Sequence, residues 1–267
     1  MRALTALFLA LCAAGMAHAG TLTVDTGHGA KPLTTAQLLK RADARDIRVT
    51  GDVSYHDDRT YRAVPMKALL EGTPVDANLQ FVAEDGFAAD IPAALILDGH
   101  GAEAWLAVEP DDTHWPQLQG KDHGAGPFYL VWLHPEAGNI GPEQWPYQIA
   151  SVKVMPGPAE RFPAMNPAAN ASTKVKHGFA VFQRNCITCH TLNGQGDAKL
   201  GPDLNIPYSP TEYLQAGYLR KLIRNPQDLR HWPQAKMPAF RPEVLSDADL
   251  DDLVAYLKHM STHKPKP

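Results

Sequence analysis

Cys186-Ile187-Thr188-Cys189-His190 decides how the last third of this chain must be built. Two thiols two residues apart, followed at once by a histidine, can clasp the edge of a porphyrin. Each sulfur can form a thioether to a vinyl group, and the imidazole then sits under the iron. The spacing is that of covalent c-type haem attachment. A zinc site would need two further soft ligands, and the remaining cysteine, Cys12, lies in an apolar leader. A thioredoxin-like pair belongs beside a βαβ unit, whereas the pattern downstream is helical.

Working outward, Val175, Gly178, Phe179 and Phe182 recur at i, i+3, i+4 and i+7, which predicts a helix running straight into Cys186. Leu250, Leu253, Val254 and Leu257 repeat the spacing near the end of the chain, behind a Ser246/Asp249 capping pattern. A third helix is expected over 212–224. It ends at Asn225-Pro226, because proline disfavours helix in the residue before it.

These blocks resemble class I cytochrome c over residues 174–260. Gly178-x-x-x-Phe182-x-x-x-Cys186-Ile187-Thr188-Cys189-His190 is similar to that family's first helix, and Leu253-Val254-Ala255-Tyr256-Leu257-Lys258 to its last. The resemblance implies that the two helices cross closely at the glycine. Gly201-Pro202-Asp203-Leu204 resembles the proximal loop, which implies that the Pro202 carbonyl accepts a hydrogen bond from His190. Lys236-Met237-Pro238-Ala239-Phe240 resembles the distal methionine segment, which makes Met237 the sixth iron ligand. His231, His259, Met260 and His263 are the competitors for that position. The implied cofactor is one covalently bound haem c. With both axial positions filled, the implied work is one-electron transfer. Lys174, Lys176, Lys199, Arg220, Lys221, Arg224, Arg230 and Lys236 are candidates for a basic rim that steers acidic partners.

Residues 1–19 read as a signal peptide. Arg2 gives the positive start, Ala3 to Ala14 is almost wholly apolar, and Ala17-His18-Ala19 offers a small-x-small cleavage site. The apolar run is shorter than the roughly 20 residues that span a bilayer, so no transmembrane anchor is expected. Cleavage after Ala19 implies a periplasmic protein whose only cysteines are Cys186 and Cys189. Residues 156–173 are rich in Pro, Ala and Asn and form an expected linker. Charge changes sign across it. Residues 20–165 carry 11 Lys and Arg against 20 Asp and Glu, a net of −9, and residues 166–267 carry 13 against 9, a net of +4. Phe162 and Met165 are expected to hold the linker against both domains, since large apolar residues would otherwise lie in water. Residues 261–267 read as a flexible tail. An exported, net acidic protein is not expected to bind nucleic acid.

Residues 20–155 read as an α+β, β-rich domain. Period-two runs occur at Leu22-Thr23-Val24, Ile47/Val49 and Leu79/Phe81/Ala83, with further strand-like runs at 94–97, 105–108, 128–133 and 149–154. Short helices are expected from Thr34, with Gln37 completing a capping box, and after Pro65. The blocks Tyr61-Arg62-Ala63-Val64-Pro65-Met66-Lys67-Ala68-Leu69-Leu70, Ala83-Glu84-Asp85-Gly86-Phe87, Gly126-Pro127-Phe128-Tyr129-Leu130-Val131 and Trp145-Pro146-Tyr147-Gln148-Ile149-Ala150-Ser151-Val152 resemble the molybdopterin-binding domain of the sulfite oxidase family. That family's molybdenum-binding cysteine should fall near Gly51-Asp52, and this domain has no cysteine. The resemblance therefore implies a scaffold without oxo-transfer chemistry, serving as a docking module. His28, His56, His100, His114, His123 and His134 match no recognised ligand spacing.

The sequence thus points to a periplasmic monohaem c-type cytochrome, an electron-transfer protein and not an enzyme. Its partners would be a dehydrogenase and an oxidase or another cytochrome. Two rivals are a haem–molybdopterin oxidoreductase that has abandoned cysteine ligation and a copper-binding or delivery protein using the histidines of the first domain.

Overall fold

A computed structural model describes residues 20–198, 200–215, 217–232 and 234–265. The leader reading of residues 1–19 and the rim residue Lys199 lie outside them. The first half is built from nine strands and three short helices: β1 (Thr21–Asp25), β2 (Ala30–Thr34), α1 (Thr35–Leu39), β3 (Arg45–Val49), β4 (Arg59–Pro65), α2 (Met66–Leu69), β5 (Asn78–Ala83), β6 (Ala88–Pro92), α3 (Ala93–Leu97), β7 (Glu103–Val108), β8 (Phe128–Leu133) and β9 (Ile149–Met155). One sheet runs β2-β1-β9-β5-β6 and the other β3-β4-β7-β8. Only β1 and β9 pair in parallel; the other neighbours are antiparallel. The expected mixed α+β arrangement is therefore present.

Local chemistry explains the edges of these elements. Thr34 accepts from the Gln37 backbone, and Gln37 reaches back to Thr34, so α1 opens on the predicted capping box. Strand β2 tolerates Pro32 because it lies at the edge of its sheet. The run at 94–97, expected as a strand, is instead the helix α3. Continuous apolar residues do not distinguish the two states, and the buried pair Ala93 and Ile96 has helical spacing. Leu22, Phe81, Phe128, Tyr129 and Trp132 are fully enclosed in the core of this half.

The second half is helical: α4 (Pro158–Arg161), α5 (Thr173–Asn185), α6 (Pro210–Tyr213), α7 (Tyr218–Arg224), α8 (Pro226–Leu229) and α9 (Asp247–Ser261). The single helix expected over 212–224 is broken. Gly217 takes φ +86°, a left-handed conformation that glycine adopts without strain, and α7 starts after it. Pro226 ends α7 as predicted but also opens α8, since its ring suits the first helical turn.

Helices α5 and α9 cross at Gly178. A Cβ there would collide with the Asp252 carbonyl and lie 2.8 Å from the Tyr256 Cβ. Phe179 and Phe182 meet the Tyr256 ring at centroid distances of 5.3 and 5.4 Å. Gly178→Ala is expected to destabilise this half by about 2 kcal/mol or more, because overpacking outweighs the roughly 1 kcal/mol that Ala gains over Gly inside a helix. Denaturant midpoints would check this; an unchanged midpoint would mean the helices do not touch at residue 178.

The linker lies against both halves. Met165 is fully buried in the helical core, Phe162 packs beside it, and the Met165 carbonyl accepts from the Tyr256 hydroxyl at 2.7 Å. Arg161 reaches Asp90 on β6 at 2.9 Å and also pairs with Asp197 of the helical half, which Gln80 of β5 contacts at 2.7 Å. From the other side, Arg184 on α5 donates to the carbonyls of Gly138 and Asn139 at 2.5 and 2.7 Å. The start of the expected flexible tail is tied down. The His263 and His259 rings stack at 4.1 Å, and Lys264 donates to Pro207 and pairs with Glu212 at 2.6 Å. Among the described residues, no helix is long and apolar enough to cross a membrane.

Candidate functional site

Helix α5 delivers the Cys186–His190 motif to a crevice of about 600 Å³. The helix closes when the Cys186 N–H bonds the Phe182 carbonyl, and the next turn forms when the His190 N–H bonds the Cys186 carbonyl, both at 2.9 Å. This turn brings both cysteines and the histidine to the crevice wall. The thiols are not joined to each other. Burial, with the nearby Glu143 charge, pushes the Cys186 thiol far up and the Cys189 thiol up to about 11. Neither therefore has the exposed thiolate character of a redox or nucleophilic cysteine.

His190 Nδ1 lies 2.8 Å from the Pro202 carbonyl, as the resemblance implied. Burial holds the imidazole pKa below its ordinary value, while Pro202 pulls the other way. A neutral ring whose Nδ1–H is donated to a carbonyl presents Nε2 as a metal ligand, with its orientation fixed. Gly201 is required here because a Cβ would meet the His190 ring. Asp203 organises the loop: its carboxylate accepts from the backbone N–H groups of Asn193, Gly194, Asn205 and Ile206. Burial opposes its ionisation, but these donors outweigh burial and hold its pKa below the usual carboxylate range.

Met237 lines the crevice too, in the loop after α8. Arg224 pins the far end of that loop by donating to the Phe240 and Leu245 carbonyls at 2.8 and 2.5 Å, and the Phe240 N–H bonds Ile223. The competitors are engaged elsewhere. Met260 is enclosed in the core, and His259 Nε2 accepts from the Ala168 N–H at 3.1 Å. His263 stacks on His259, and His231 is exposed outside the crevice wall. The remaining wall is mostly apolar, with Leu204, Leu219, Ile223, Phe240, Leu253 and Leu257. Two sulfur anchors, one nitrogen ligand, one thioether and an apolar enclosure suit a haem attached through its edge.

Residues 175–261 match the family model described as Cytochrome c. The C-terminal region is a cytochrome c domain. That family implies covalently bound haem c and work in electron transfer. No curated protein matches the chain. The family match stops short of the β-rich half, and the sulfite-oxidase resemblance of that half finds no support in it.

The expected basic rim of the cytochrome c domain is partly used in local pairing. Arg224 serves the Met237 loop and pairs with Asp247, Arg220 pairs with Asp251, and Lys174 lies 3.5 Å from Asp252. Arg230 and Lys236 do reach the crevice wall.

In the β-rich half, Asp52 stands near the position expected for a molybdenum-binding cysteine. It is buried, and its two oxygens accept from Ser54 N, Tyr55 N, Tyr61 OH and Tyr129 OH. Such a carboxylate is committed to holding its own loop. His56, His100 and His134 occupy left-handed turn positions, with φ of 61°, 46° and 52°. Among the described residues, no three His, Cys, Asp or Glu side chains gather as metal ligands would.

Glu143 lines the crevice, and Asp203 and Arg184 brace the segments beside it; none of the three belongs to a pattern that marks a haem site. Asp203 sits inside the quoted loop block, so its role was within reach. Glu143 reaches the crevice from the β-rich half, and Arg184 crosses the same boundary to Gly138 and Asn139; no local pattern announces such contacts.

Proposed function

We propose that the protein is a periplasmic monohaem c-type cytochrome that passes single electrons between a dehydrogenase and a respiratory acceptor. The observation that carries this reading is the convergence of Cys186, Cys189, His190 with its Pro202 partner, and Met237 on one apolar crevice. In this reading Cys186 and Cys189 hold the haem edge, His190 is the proximal ligand and Met237 the distal one. Haem c held by these residues would supply one-electron chemistry. The chain surrounds the site with apolar side chains and orients the imidazole, and Arg230 and Lys236 give its mouth a positive edge for acidic partners.

The β-rich half is proposed as a sulfite-oxidase-like docking module without catalysis of its own. The committed hydrogen bonds of Asp52 support this, as does the lack of any cysteine in that half. The signal-peptide pattern of residues 1–19 supports export. Metal analysis of the purified protein tests the whole reading. One iron per chain as covalent haem, without molybdenum or copper, is expected. Stoichiometric molybdenum or sulfite oxidation would restore the oxidoreductase reading, and stoichiometric copper the delivery reading.

A further inference from the structure

Glu143 belongs to the β-rich half, in a 3-10 turn over Pro142–Gln144, yet it lines the same crevice as Cys186, Cys189 and His190. It is buried, and neither carboxylate oxygen has a hydrogen-bond partner among the described residues. The side chain folds over Gly141, where a Cβ would strike both oxygens. Gln144 locks the turn by accepting from the Gly141 N–H at 2.9 Å. An acid is thus built into an apolar wall and left without a donor. Burying an unpaired charge costs several kcal/mol, so the neutral acid is favoured over the carboxylate until a positive charge nearby offsets that cost.

The charged and titratable groups around it are few. Arg184 on α5 acts on it by charge, but no ion pair joins them among the described residues: one Nη of Arg184 donates to Gly138 and Asn139, and its Nε has no partner. Asp249 on α9 acts on Arg184 from behind. Cys186 and Cys189 face it from the attachment motif and cease to titrate once joined to haem. Asp90, on the β6 strand packed against the turn, is held by Arg161 and Asn78. Burial pushes the Glu143 carboxyl up to about 8, while its own backbone and Arg184 pull the other way.

We infer that Glu143 is a redox-linked proton acceptor for the haem site, supplied to the cytochrome c domain by the β-rich half. The inference rests on the haem reading above. With haem c bound, reduction by the redox partner would remove one positive charge from the crevice. The attraction that favoured the ionised carboxylate weakens, and charges in such a buried place are poorly screened. Glu143 then takes one proton from solvent, forming one O–H bond. On reoxidation the electron leaves to the acceptor and the proton returns to solvent. The β-rich half is then part of the electron-transfer site as well as a docking surface.

The test is the midpoint potential of the full-length holoprotein measured against pH, for the natural chain and for Glu143→Gln. The natural protein should show a potential that falls as pH rises through the Glu143 titration. The slope should approach about 59 mV per tenfold change in proton concentration, the value for a one-electron couple. Glu143→Gln should hold the acid-side potential across that window. An equal slope in both would assign the proton to the haem propionates and overturn the inference. Should Glu143→Gln not retain haem, Glu143→Asp replaces it: the slope should persist with its window displaced, and an undisplaced window counts against Glu143. Reduced-minus-oxidised infrared spectra give a second readout. A protonated-carboxyl band should appear on reduction of the natural protein, and its absence would overturn the inference. A pyridine haemochrome assay separates the two levels. No covalent haem would defeat the underlying reading and this one with it, while haem with a pH-independent potential would defeat this one alone.

Discussion

The Cys186→Ser/Cys189→Ser double variant should release all of its haem on acid–acetone extraction, where the natural protein should release none. The single variants should each keep one thioether and retain haem less firmly. Stability should fall along with attachment. The crevice of about 600 Å³ is walled by α5, α7, α9 and the distal loop, and it occupies the middle of the helical core. An enclosed void of that size would cost on the order of 10 kcal/mol, about as much as a whole domain's stability. This crevice opens to solvent past the exposed Tyr213 and Trp232, so the actual cost is smaller. It is still large enough that the helical half without its cofactor should melt well below the holoprotein. Thermal unfolding followed by circular dichroism would measure the gap. Haem surviving extraction in the double variant would refute the attachment reading.

That result depends on a motif that could be read in one line of sequence, and the reason is physical. Attachment through two sulfurs and one imidazole needs them on a single turn, so the chemistry is local in the chain. The same holds for the α1 capping box and for the α5 and α9 periodicities, each contained in a few residues. Legibility fails where the deciding contact is distant or conformational. The break between α6 and α7 is a matter of backbone angles, with Leu214 extended and Gly217 left-handed. The run at 94–97 reads as a strand and folds as a helix, because burial on both sides of a strand and burial along a helix leave the same apolar stretch.

The domain contact shows the same limit more sharply. Opposite net charges suggested that the halves attract, but charge totals could not say which residues meet. Arg161 joins them by pairing with Asp90 on one side and Asp197 on the other. Its side chain is 12% exposed. Phe162 and Met165 were expected to bind both halves. They instead pack into the helical core, leaving the polar residues beside them to grip the sheet. Composition marks the linker's extent and the opposite charges of the two halves, and packing decides its partners.

Met237→Ala should strip the distal side of the haem while leaving attachment intact. Three changes should appear together. The weak sulfur-to-iron absorption near the red end of the ferric spectrum should vanish. Exogenous ligands such as imidazole should bind. The potential should drop by on the order of 0.1 V, a fraction of the roughly 0.8 V over which axial ligands set haem potentials. The direction follows from the ligand: a soft thioether favours the ferrous state, and water or hydroxide in its place does not. The fold should survive, because Arg224 and the Phe240–Ile223 hydrogen bond hold the loop without help from residue 237. Met237→His offers the complementary case. It restores a sixth ligand and blocks exogenous binding, but the potential stays low because imidazole is the harder donor. If Met237→Ala leaves the spectrum unchanged, another residue ligates the iron. Met260 would then have to leave the core, or His259 its bond to Ala168. Either rearrangement would expose core surface and alter hydrogen-exchange protection at the end of α9, so the spectrum and the exchange pattern together identify the ligand.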